Sequence, residues 1–205
     1  MRDLGVWIDR GLSMSTHVIK VVAGCFAVLR QLNSIRRSVS RESLIGLVVS
    51  LVLTRLDYCN AVLAGLPAYQ LDRLQSAINA AARMIYRASR YDHVSSLLKE
   101  LHWLRVPERI EFKLCALVYK CLNGNGPAYL AGSLQRVTDV QSRRRLRSSS
   151  SSTLIVPVTR RATLHRAFPV VAARAWNALP DYVTSAPTYA SFRTALKTFL
   201  FSRTF

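Results

Sequence analysis

Acid is scarce in this chain: eleven Asp and Glu against 29 Lys and Arg in 205 residues, a formal net charge of +18. Such a surface is repelled by basic partners and attracted to phosphate backbones or anionic lipid. No two aspartates are adjacent anywhere. Lysine is also sparse, confined to Lys20, Lys99, Lys113, Lys120 and Lys197, so the positive charge is nearly all arginine. Arginine's planar fork holds phosphate bidentately and stacks on bases, although a GC-rich gene gives the same bias with no ligand. A glycine-rich phosphate loop and a Gly-x-Ser-x-Gly elbow are both missing, which leaves no local signature for nucleotide hydrolysis or a serine nucleophile. The four histidines (His17, His93, His102, His165) are scattered, and Cys115 with Cys121 lacks the paired short spacings of a structural zinc site.

Long hydrophobic runs are missing too. The longest, Leu44 to Leu53, falls well short of the roughly 20 residues that cross a bilayer, and reads as a buried helix. The Met-Arg-Asp start carries no secretory n-region and h-region. Cys25, Cys59, Cys115 and Cys121, all in apolar stretches, are therefore expected to be reduced core thiols of an intracellular protein, in nucleus or cytoplasm.

What is present is mostly helical periodicity. Residues 1–12 hold a short strand-like run (Leu4, Val6, Ile8) with Gly5 inside it and Arg10-Gly11 as a turn. Ser13 or Ser15 caps a helix whose apolar residues Val18, Val21, Val22, Cys25, Leu29, Leu32 and Ile35 recur at three and four residue intervals, ending near Arg36-Arg37. Ser40 with Glu42 opens a second helix through about Arg55, apolar nearly all round, as a central element of a bundle must be. After Gly65-Leu66-Pro67 a third runs from about Gln70 to Arg87 with Leu71, Leu74, Ile78, Ala81 and Ile85 on one face. A short helix over about Val94 to Leu101 and another begun at Pro107 come next, stopped by Asn123-Gly124-Asn125-Gly126-Pro127. Residues 13–132 thus read as one helical domain, 133–152 as a basic Ser/Arg-rich linker, and 153–205 as a small mixed extension. In that extension TLIVPV (153–158) reads as an edge strand and the rest as two helices separated at Ala186-Pro187. They are expected to pack through Trp176, Phe192, Leu196 and Phe199.

The charge is patterned on these elements. Arg83, Arg87 and Arg90 project opposite the apolar stripe of the third helix, with Arg73 near its edge. Between Arg136 and Arg174 nine arginines face one acid, Asp139; they include Arg143, Arg144, Arg145, Arg147, Arg160 and Arg161. These ten (Arg73, Arg83, Arg87, Arg90, Arg143, Arg144, Arg145, Arg147, Arg160, Arg161) are the candidate nucleic-acid contacts, against the alternative of a solvated surface. Trp103 and Trp176, set among apolar neighbours, read as core anchors rather than stacking platforms. A basic amphipathic module on anionic membranes is the weaker account, since a soluble helical bundle explains the same residues.

Several phrases recur as a set in one family. LGVWIDRGLSMSTHV, TRLDYCNAVLAGLP, LDRLQSAINAAARMI, AFPVVAARAWNALP and SFRTALKTFLF resemble, in the same order, the end of the palm and the post-palm region of LINE-type (non-LTR, jockey-like) retrotransposon reverse transcriptases. The resemblance implies a mainly α, thumb-like helical bundle with a remnant of the palm's closing strand at residues 1–12. It implies binding of RNA or an RNA–DNA hybrid, and the palm of the parent polymerase as protein partner. The parent's chemistry requires Mg²⁺ held by an Asp and an aromatic-x-Asp-Asp turn. This sequence has no Asp-Asp pair; Asp3 and Asp9 flank a strand at the post-catalytic position and make poor substitutes. The expectation is a nucleic-acid-holding part with no catalysis and no cofactor of its own, the alternative being an inactive truncated element remnant.

Overall fold

The computed structural model describes residues 1–89, 91–139, 153–160 and 162–205. The fold is mainly α, as the periodicity predicts, and carries a two-stranded N-terminal hairpin. Two compact units form: Met1–Arg109 with Thr204–Phe205, and Ile110–Arg203. Composition changes near residue 133, whereas the compact units divide inside a continuous helix.

In the first unit, the expected single strand is a hairpin instead. β1 (Arg2–Asp3) pairs antiparallel with β2 (Val6–Trp7), with Arg2 opposite Trp7 and Asp3 opposite Val6. Leu4 (φ 42) and Gly5 (φ 84) form the turn, both left-handed, which is the geometry that matches strand twist in a two-residue loop. Leu4 is consequently exposed rather than part of an apolar strand face. Asp9 then organises the exit, accepting from the Ser13 N–H at 2.6 Å and the Ser13 hydroxyl at 2.7 Å. The hydroxyl bond chiefly holds the Asp9 carboxyl below its ordinary range.

Helix α1 (Ser15–Ile35) buries His17, Val18, Cys25, Leu29 and Leu32, a stripe that packs against α4 (Ala68–Tyr86). Among the described residues α1 is the helix long and apolar enough to cross a membrane by length and composition, a test that the core helix of a soluble protein also passes. The second expected helix is three pieces: α2 (Arg41–Val48), a π-helical turn (Val49–Leu53) and α3 (Thr54–Asp57). Ser40 caps it as expected, its hydroxyl accepting the Ser43 N–H at 3.1 Å. Apolar nearly all round, it is nevertheless not covered on every side as a central element would be, because Val49 and Leu51 are exposed. Helix α4 buries Leu74, Ile78, Ala81 and Ile85 of the periodic face read from the sequence, together with Gln70, while Leu71 is half-buried.

The remaining elements of this unit are tied by polar bonds. Gln75 Oε1 accepts the Val106 N–H at 2.9 Å, and Arg109 grips Asp57 bidentately, its Nε at 2.8 Å from Oδ1. Asp57 also accepts from the Asn60 amide at 3.3 Å, so one carboxylate joins α3, the following 3-10 turn (Asn60–Leu63) and the start of α6 (Val106–Leu122). Between α4 and α6 lies the short α5 (Val94–Glu100), with Leu98 fully buried. Trp103 is buried, as a core anchor should be, but Cys59 is exposed at φ 52, unlike the buried Cys25, Cys115 and Cys121.

The second unit combines the rest of α6 with α7 (Ala128–Ala131), α8 (Phe168–Asn177), α9 (Asp181–Thr184) and α10 (Tyr189–Thr204). Its core is aromatic: Tyr119 stacks on Phe192 with centroids 4.3 Å apart, and Phe192 on Trp176 at 5.8 Å. Phe192, Leu196 and Trp176 are buried as expected, while Phe199 is only half-buried. The expected 153–158 strand reduces to one bridge, Arg136 to Leu154. Asn177 completes it from the other side, its amide accepting from the Leu154 N–H and donating to the Leu154 carbonyl, both at 2.8 Å. A side-chain amide thereby does what a neighbouring strand would otherwise do.

Candidate nucleic-acid interface

Within the first unit a groove of about 600 Å³ opens between the hairpin, α1 and the π turn. Arg2, Lys20 and Arg55 bring three cations to its walls, Trp7 and Tyr58 supply aromatic surface, and no acidic residue lines it. Arg2, Lys20, Arg55 and Tyr58 are all exposed. Unopposed positive charge of this kind is what a phosphodiester backbone requires.

Each wall has a local cause. Trp7 is half-buried, and the Lys20 ammonium sits over it at 3.4 Å from the ring centroid, with the Arg2 guanidinium at 5.3 Å. Such contacts contribute about 0.5–1 kcal/mol each at exposed sites and fix the cations in place. The Tyr58 hydroxyl donates to the Leu4 carbonyl at 2.7 Å, tying the turn of the hairpin to the end of α3. A Cβ on Gly5 would come within 3.3 Å of the Tyr58 ring, so the glycine serves both the turn and this approach. The π turn carries one more residue per turn than an α-helix and re-aims the side chains beyond it. Ser50, Leu51, Thr54 and Arg55 share the groove side, with the Thr54 hydroxyl donating to the Ser50 carbonyl. Arg55 lies across Gly24 of α1, where an added Cβ would fall 2.6 Å from its terminal nitrogen. That guanidinium partly offsets the burial that pushes the Cys25 thiol up to about 11.

Beneath the groove, His17 is 3% exposed and its Nδ1 accepts the Trp7 N–H at 3.4 Å. Burial lowers its pKa, keeping the ring neutral and able to accept.

Of the ten arginines singled out by sequence, Arg73, Arg83, Arg87 and Arg160 fall among the described residues, and the three near α4 differ in setting. Arg73 is exposed on α4. Arg83 is half-buried: its Nη2 donates to the Asp92 carbonyl at 3.3 Å, and its Nε is buried without a partner. It braces the segment after α4 rather than standing clear of the surface. Arg87 is exposed but lies past the last helical residue, in the left-handed cap (φ 54), so the periodicity that aligned it with Arg83 no longer applies. Arg160 is exposed in the second unit. Arg90, Arg143, Arg144, Arg145, Arg147 and Arg161 lie outside the described residues. Among the described residues no three His, Cys, Asp or Glu side chains converge as metal ligands.

Comparison with protein-family models, with curated proteins and with solved structures finds no match for this chain.

Proposed function

We propose that this chain is the C-terminal, thumb-like part of a non-LTR retrotransposon reverse transcriptase, and that it holds RNA or an RNA–DNA hybrid by the phosphate backbone without performing polymerisation itself. The observation that carries the binding role is the acid-free groove in which Arg2, Lys20 and Arg55 surround Trp7 and Tyr58. The retrotransposon assignment rests on the ordered phrases of the sequence. In this reading the palm of the parent polymerase is the protein partner and holds the Mg²⁺ ions of the reaction, and the site of action is intracellular, in nucleus or cytoplasm. The purified chain should retard a labelled RNA–DNA primer–template hybrid at about 50 mM salt, with little sequence preference and a steep loss as salt rises. A chain that leaves the hybrid unretarded at that salt refutes the proposal.

A further inference from the structure

Charge is unevenly divided between the units. Ile110–Arg203 contains fourteen Lys and Arg against three acids, Glu111, Asp139 and Asp181, a net of +11, whereas the groove belongs to the other unit. Helix α10 has no acidic residue in its sixteen positions. Its buried line is Phe192, Leu196 and Leu200; beside that line Tyr189, Arg193 and Lys197 recur every four residues and share one flank. From α6, Lys120 reaches the same place, its Nζ 4.9 Å from the Tyr189 ring centroid, while the Arg193 guanidinium lies 5.7 Å from it. Lys113 stands two turns earlier on the same face of α6 as Lys120.

Polar bonds tie the frame that presents these cations. Arg203 near the end of α10 grips Glu111 bidentately, with NH1 at 3.0 Å from Oε1, so α6 and α10 run antiparallel and the one acid of the Ile110–Leu122 stretch is neutralised. The Tyr119 hydroxyl donates to the Ala186 carbonyl at 2.9 Å, fixing the approach to Tyr189. Lys113, Arg193 and Lys197 are exposed, and Lys120 and Tyr189 half-buried.

We propose that this flank of α6 and α10 is a second nucleic-acid surface that takes the backbone of an unpaired strand, with Lys120, Arg193, Lys197 and Lys113 on its phosphates and Tyr189 against a base. Two cations already gathered at one aromatic ring are pre-positioned for the phosphates that flank a stacked base. A duplex keeps its base faces covered and makes no use of Tyr189. The surface goes beyond the groove reading and does not depend on it.

The test uses the full chain, a fluorescein-labelled twelve-nucleotide oligouridylate and, as a second probe, the RNA–DNA hybrid. Arg193→Gln with Lys197→Gln should weaken oligouridylate binding by roughly 5-fold per lost contact at about 0.1 M salt and lower the slope of log affinity on log salt by about 0.7 per contact. The charge-keeping variant Arg193→Lys with Lys197→Arg should bind as the parent does. Unchanged affinity and slope in the Gln variant overturn the inference, as does equal weakening in both variants, which would indicate damage to α10 rather than loss of charge. Lys20→Gln with Arg55→Gln serves as the groove arm: loss of oligouridylate binding there alone sinks this inference while leaving the groove reading intact. Binding to phosphatidylserine vesicles with the same Arg193 and Lys197 dependence, and none to oligouridylate, also overturns it.

Discussion

Neutralising the groove gives the sharpest measurable consequence of its geometry. Arg2, Lys20 and Arg55 are exposed cations around one cleft with no carboxylate on its walls, so each one that meets a phosphate displaces a condensed counterion. The slope of log affinity on log salt changes by about 0.7 per contact for a single strand and about 0.9 for a duplex. The variant Arg2→Gln, Lys20→Gln, Arg55→Gln should therefore have a slope shallower by about 2 to 3. Between 50 and 200 mM salt, the parent should lose roughly 20- to 40-fold more affinity than the variant over the same interval. Fluorescence anisotropy of a labelled RNA–DNA hybrid, titrated at four or five salt concentrations, measures this directly. Arg73→Gln is the control, since Arg73 is an exposed arginine of the same unit that does not line the groove; it should change the slope by no more than about one contact's worth. A triple variant whose slope equals the parent's would show that phosphate does not enter the cleft, and the groove would have to be abandoned as the interface.

Two further outcomes concern stability. Phe192→Ala empties a fully buried position stacked on Tyr119 and Trp176, and should cost about 3–5 kcal/mol in urea unfolding followed by tryptophan fluorescence. His17 has its pKa lowered by burial. Above the ordinary value of 6.5 the ring is neutral in folded and unfolded chains alike. As pH falls below 6.5 the unfolded chain takes up a proton that the folded one excludes, so stability declines until the folded value is passed. Thermal melts from pH 7.5 to 5 should show this component in the parent and not in His17→Asn; identical pH profiles would contradict a neutral His17 under Trp7.

The helices were legible because burial imposes a period. Leu74, Ile78, Ala81 and Ile85 sit where their spacing puts them, and Ser40 caps where its side chain can accept. The groove was not legible, because Arg2, Lys20 and Arg55 are far apart in sequence and meet only through tertiary packing. A π turn also intervenes, and it changes which residues of one apolar run face out. Periodicity misplaced Arg87 because a helix end is set by a left-handed residue, and here that residue is an arginine rather than the usual glycine. Leu4 misled in the same way: a leucine at φ 42 in a hairpin turn carries no turn signature, and only Gly5 beside it hinted at one. The 153–158 stretch looked like a strand, and its Leu154 does satisfy its backbone, but through Asn177 rather than a ladder.

The bond from Trp7 to His17 also fixes the direction in which the hairpin can grow. Met1 and Ile8 exchange backbone bonds, with Ile8 N–H to Met1 carbonyl at 2.9 Å and the Met1 amine to Ile8 carbonyl at 3.0 Å. At the next pair, Arg2 and Trp7, the amides consequently point outward. On the β2 side that outward N–H is consumed by an imidazole, and α1 stands where a third strand would lie. On the β1 side the Arg2 N–H has no hydrogen-bond acceptor among the described residues. Pairing by a further strand is thereby directed to the β1 edge of the hairpin, along Arg2–Asp3.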